Sequence, residues 1–113
     1  MPIVYVSQLP HKLDPLTGTY VPAYKIDPAY EHGTVQILVP PRAPFTHASQ
    51  LVPQLGALAN YNFTAGDCLL LLGDPVVIAT IVALVALKGE FRVLRWDRNM
   101  GRYVPIIITT AAH

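Results

Sequence analysis

Three groups of residues in this chain are of types that could do chemistry. The first is Gly73-Asp74-Pro75, which follows the leucine run Leu69 to Leu72 and precedes an apolar stretch from Val76 to Leu87. A strand that turns here into a helix aims free backbone N–H groups at the turn, and such groups attract anions. A phosphate-bearing ligand at this place would touch Gly73 and Asp74, and the connector from Pro41 to His47, with Arg42 and His47, would form the opposite wall. The structural reading explains the same residues as a cap: Asp74 at the N-cap, Pro75 at the first helical position and Gly73 for the turn. An N-cap carboxylate would also repel a phosphate. Neither a GxGxxG sequence nor a P-loop lysine is present, so the cap is the better account.

The second group is basic and aromatic: Arg92, Arg95, Arg98 and Arg102, with Lys88 nearby, surround Trp96 and Tyr103. Arginines pair with phosphates and aromatic rings stack on bases, so nucleic-acid binding is one reading. On a strand, however, Arg92, Trp96 and Arg98 share one face while Arg95 and Asp97 share the other, which divides the charge. A solvated hairpin with cross-strand ion pairs is the competing reading. The third group is His11, His32, His47, His113 and the single Cys68, scattered without metal-ligand spacing. No metal and no cofactor is expected. Cys68 sits in the leucine run as a small buried hydrophobe, and Ser7 and Ser49 lack a nucleophile elbow. No catalytic constellation emerges, which leans against an enzyme.

The elements that would position these residues follow from period and turn chemistry. Ile3 to Leu9 and Tyr20 to Ile26 read as an N-terminal β-hairpin. Asp27-Pro28 opens a short helical turn, with Asp27 at its cap and Gly33 closing it. Thr34 to Val39 is a strand, and Leu51, Leu55 and Leu58 set a helix from about Ser49 to Asn60. Asp67 to Leu72 is a doubly buried strand, the 76–87 stretch a helix, and 90–96 and Tyr103 to Thr109 are strands. The expected fold is α/β: a compact Rossmann-like sheet with two consecutive βαβ crossovers, an N-terminal β-hairpin and a C-terminal antiparallel strand.

One pattern occurs twice. Asp14, Gly18, Tyr20, Val21 and Pro22 repeat the spacing of Asp97, Gly101, Tyr103, Val104 and Pro105. In such a turn the Asp side chain accepts from the following N–H groups and the Gly takes positive φ. With no other similarity between the halves, this is repeated hairpin chemistry rather than a duplicated domain.

Composition limits the remaining choices. The 113 residues suit one domain, 52% are hydrophobic and only 13% are charged. That charged share is about half the ordinary ~25%, so either the core is large relative to the surface or some apolar surface meets a partner. A net charge of +1 selects neither nucleic acid nor acidic membranes as a whole-protein effect. Residues 68–87 approach the ~20 apolar residues that cross a bilayer, but Asp74 lies among them at a cost of about 3 kcal/mol. No membrane span is expected. The first twenty residues lack a basic region followed by an apolar core, so a cytoplasmic location is expected.

The helix over 76–87 has no polar stripe; Thr80 carries its only hydroxyl. A helix that is apolar all round needs cover all round, from the N-terminal hairpin or from a second copy. Ala79, Ala83 and Ala86 form a small-residue face suited to close approach. A homo-oligomer, most simply a two-fold dimer, is expected.

The residues Leu71-Leu72-Gly73-Asp74-Pro75, Leu94-Arg95-Trp96-Asp97-Arg98 and Tyr103-Val104-Pro105-Ile106 resemble a family of small uncharacterised α/β proteins from tailed bacteriophages and prophages. The resemblance covers mainly residues 67–107. It implies a virus-encoded accessory protein in the host cytoplasm and carries no activity or catalytic residue with it. The leading expectation is a non-enzymatic interaction module that self-associates and binds a protein partner, such as a host factor. The alternatives are nucleic-acid binding through the 88–103 hairpin, and a nucleotide or phosphate pocket beside Gly73.

Overall fold

A computed structural model describes residues 2–41, 55, 64 and 66–109. Seven strands are described: β1 (Ile3–Gln8), β2 (His11–Leu13), β3 (Tyr20–Pro22), β4 (Thr34–Val39), β5 (Cys68–Leu70), β6 (Phe91–Asp97) and β7 (Arg102–Ile108). Between them lie a 3-10 turn at Asp27–His32 and the helix α1 at Pro75–Ala86. Five strands form one sheet in the order β4-β1-β5-β6-β7, and β2 and β3 form a separate ribbon. β4, β1, β5 and β6 run parallel, while β7 returns antiparallel to β6. The protein is thus an α/β chain with a mixed sheet and one main described helix.

β1 departs from the expected hairpin. Val4, Tyr5 and Val6 are at most 1% exposed, so this strand is buried on both faces, the environment of an interior parallel strand. It pairs with β4 on one side and β5 on the other, leaving the Asp14–Gly18 turn to join the shorter β2 and β3. The same insertion separates β4 from β5. The expected helix at Ser49 to Asn60 lies outside the described residues, except for the buried, helical Leu55. At the 3-10 turn the cap position is Ile26 rather than Asp27, with no side-chain cap bond.

Alternation along the strands separates two apolar layers. Tyr5, Val39, Leu69 and Phe91 pack with Val77, Ile81 and Val85 of α1 on one face. Val4, Val6, Cys68, Leu70, Leu94 and Tyr103 lie on the other, where Ala29 of the 3-10 turn packs on them. Among the described residues, the helix side is covered by three turns of α1 and the opposite side by the shorter 3-10 turn. α1 starts as its sequence dictates, with Asp74 Oδ1 accepting from Val76 N–H at 2.8 Å and Pro75 following.

The i, i+4, i+8 stripe Val77, Ile81 and Val85 meets the sheet. Of the small residues, Ala86 packs against this cluster, whereas Ala79 and Ala83 are exposed and do not approach the strands. No ribbon residue belongs to the apolar cluster around α1 among the described residues.

Candidate functional site

The strand order reverses between β1 and β5, because β1 leads to β4 on one side and β4 leads to β5 on the other. In open parallel sheets that point leaves a crevice beyond the carboxyl ends of the strands. Here side chains from β1 fill it. Ser7 Oγ donates to the Leu72 carbonyl and accepts from Leu72 N–H at 2.7 Å. Gln8 spans the gap, donating from Nε2 to the Pro40 carbonyl at 2.8 Å and accepting from Asp74 N–H at Oε1, 2.9 Å.

Gly73 has φ of +93°, and a Cβ there would come within 2.5 Å of Gln8 Oε1, so the turn closes onto Gln8 only with glycine. An anion at this turn would meet the Asp74 and Val76 N–H groups, which already have partners, beside the Asp74 carboxylate. Arg42 and His47, the expected opposite wall, lie outside the described residues. Ser7 and Gln8 carry no sequence signal for this role, since their partners lie 32 to 66 positions away.

The basic hairpin is divided by its register. Arg92, Leu94 and Trp96 stand opposite Ile107, Pro105 and Tyr103 on the face away from α1, while Arg95 and Asp97 pair with Val104 and Arg102. Trp96 and Tyr103 contact edge to face, with centroids 5.0 Å apart at 73°. Arg102 is held by Glu31 through two bonds, Nε to Oε1 at 3.2 Å and Nη2 to Oε2 at 2.9 Å. Arg95 and Arg98 converge on a shallow depression of about 440 Å³ at the hairpin tip, with Asp97 and Asn99 beside them. Arg92 lies next to Cys68, and its charge partly offsets the burial that raises the thiol pKa; the Asp67 carboxylate adds to the rise. Among the described residues no cluster of His, Cys, Asp or Glu could hold a metal ion.

A larger cleft lies elsewhere among the described residues. It has a volume of about 700 Å³ and opens on the face away from α1, at the carboxyl ends of β5 and β6. Leu70, Leu72 and Leu94 give it an aliphatic wall, and Tyr24, Trp96 and Tyr103 an aromatic one. Lys25 and Asp27 are its charged groups. The tight Asp97–Gly101 turn leads β6 straight into β7, with no helix between them. Burial raises the Tyr103 pKa, as expected for a phenol in an apolar wall. Sequence reasoning singles out Trp96 and Tyr103, with nucleic-acid binding weighed against a solvated hairpin. It missed Tyr24, Lys25 and Asp27, whose approach to β5 depends on where β1 sits.

A helix long and apolar enough to cross a membrane is absent among the described residues. No curated protein and no solved structure matches the chain. The family described as phage Pam3 gp32-like protein matches residues 2–110, nearly the whole chain. That match supports a phage protein without testing the motifs of the 67–107 region, and the chain belongs to the phage Pam3 gp32-like protein family.

Proposed function

We propose that this phage protein is a non-enzymatic accessory module that acts by protein contact in the host cytoplasm, self-associating as a two-fold dimer and presenting its β6–β7 hairpin to a protein partner. The observation that carries this reading is the outer surface of α1. Val76, Ala79, Ala83 and Leu87 recur along it, Val76 at 47% and Leu87 at 84% exposure. Thr80 has no donor left for solvent, because its hydroxyl donates back to the Val76 carbonyl at 2.8 Å. Ile106 and Ile108, 42% and 37% exposed, extend the apolar surface on the same side of the sheet. Surface of this kind commonly marks an interaction site.

Association would be face to face. β7 is an edge strand, but Pro105 has no N–H to offer and the Tyr103 carbonyl accepts from His32 Nε2 at 2.9 Å. Both features blunt strand addition along that edge. The parallel order β4-β1-β5-β6 supports reading the sheet as a small Rossmann-like one in which the final crossover has become a turn. Sedimentation equilibrium tests the assembly: the wild type should be dimeric and Ala83→Glu monomeric with unchanged circular dichroism. A wild type that stays monomeric at high concentration refutes it.

A second reading rests on Arg95 and Arg98, which line one depression and make no hydrogen bond or ion pair among the described residues. Nucleic-acid binding there predicts affinity that falls steeply with salt and is lost in an Arg95→Ala, Arg98→Ala double variant.

A further inference from the structure

We propose that the cleft between Tyr24 and Trp96 is a small-molecule site for a planar, polycyclic aromatic or heteroaromatic compound bearing an anionic group. Its volume of about 700 Å³ lies within the ordinary range of ligand sites, ~300–1,000 Å³, and its wall is apolar with a small number of polar groups. The shape of the ligand follows from the wall. Trp96 and Tyr103 both line the cleft and meet edge to face; Tyr103 is 7% exposed, whereas Trp96 remains 44% exposed despite its size. Tyr24 lines the same cleft at 53% exposure. A flat ring system inserted between such side chains gains contact area with little lost freedom on the protein side.

The charge of the ligand follows from Lys25. It lines the cleft, and neither it nor Asp27 makes a hydrogen bond or ion pair among the described residues. An ammonium without an internal partner beside apolar wall complements an anion attached to an apolar body. Asp27 accepts only, which favours a ring system with an N–H or O–H donor on its other edge. The wall itself is prearranged: Leu70 and Leu94 are 3% and 4% exposed in the core layer, so the ligand does not have to create the cleft.

The single tryptophan makes the test direct, since Trp96 is the chain's only one and lies in the wall. The probes are anilinonaphthalene sulfonate and phenylnaphthylamine, the same aromatic body with and without the anion. Both should bind saturably to the folded wild type, shift the lone indole N–H cross-peak and accept energy transfer from Trp96. The sulfonate should bind about threefold to fivefold more tightly, the size of a partly exposed ion pair, and Lys25→Ala should erase that preference. Tyr24→Ala removes an exposed wall residue without opening the core and should weaken both probes. Ala83→Glu, on the opposite face, should bind as the wild type does whether or not the dimer exists. The proposal is overturned if neither probe moves the indole signal, or if Lys25→Ala and Tyr24→Ala leave both affinities unchanged.

Discussion

The two Asp-to-Gly hairpins are built alike and end differently. In each, the Gly N–H donates to the Asp carbonyl at 2.8 Å, with φ of +69° at Gly18 and +64° at Gly101. In each, the Asp carboxylate accepts from backbone inside the turn: Leu16 N–H for Asp14, and Asn99 and Met100 N–H for Asp97. Yet β2 and β3 pair over only three residues, while β6 and β7 pair over seven. The second hairpin has Leu94 and Tyr103 in a buried layer; the first has Leu13 and Tyr20 exposed at 54% and 53%. A turn motif thus decides that the chain reverses, and burial decides whether the reversal becomes part of the sheet. A two-stranded ribbon without a buried face is marginal by itself.

The sharpest way to break this comparison is to shorten a leucine in each arm. Leu94→Ala removes a 4% exposed side chain from the layer beneath the cleft and should cost about 2–4 kcal/mol in urea unfolding. Leu13→Ala should stay within about 0.5 kcal/mol, because the side chain is mostly in water. Equal losses would mean that the ribbon is as well packed as the sheet. The turns themselves come next. Gly18→Ala and Gly101→Ala impose the same left-handed conformation on a residue with a Cβ, a local cost of about 1–2 kcal/mol. Only the Gly101 change should lower the global unfolding temperature; the Gly18 change should appear as faster amide exchange confined to residues 11–22.

The carboxylates should differ by less. Asp97→Ala loses two accepted hydrogen bonds and Asp14→Ala one, so their costs should be about 1–2 and 0.5–1 kcal/mol, respectively. Replacement by Asn, which keeps an acceptor, should recover most of each loss. If Asp14→Ala proved the more costly, the ribbon would have to be tied into the fold through that turn.

Legibility in the sequence tracks how local the determining interaction is. The α1 cap was readable because Asp74 reaches only to Val76, and both hairpin turns were readable for the same reason. β4 matches its expected range of 34–39, and the antiparallel return of β7 follows from the short turn. The interior place of β1 was not readable. Its apolar run fits a hairpin arm or a parallel strand, and the choice depends on pairing with β4 and β5 more than 30 residues away. Asp67 illustrates the same limit: its buried carboxylate accepts from Ile3 N–H at 2.8 Å across 64 positions and fixes β1 beside β5. Once β1 was misplaced, the segment from Tyr24 to Pro28 had no reason to approach Leu70, so the cleft could not be foreseen.

The smallest contrast is in alkaline pH, and it arises from the sheet. Burial raises Tyr103 from 10.0 and Cys68 from 9.0, and burial followed by the Asp67 charge raises Tyr5 from 10.0. A raised acid keeps its proton longer in the folded state than in the unfolded one. Its contribution is therefore fully present below the unfolded pKa, fades as pH climbs past that value, and is lost by the folded pKa. Stability should hold through neutral pH and then fall from about pH 9 upward, as the unfolded thiol and then the phenols ionise. Tyr103→Phe removes one of these groups while keeping the ring against Trp96. Urea unfolding measured on both proteins from neutral to strongly alkaline pH should show a shallower decline for the variant above the unfolded tyrosine pKa. Identical declines would mean that the Tyr103 hydroxyl is as well solvated in the cleft as in the unfolded chain, and that the aromatic wall is wet.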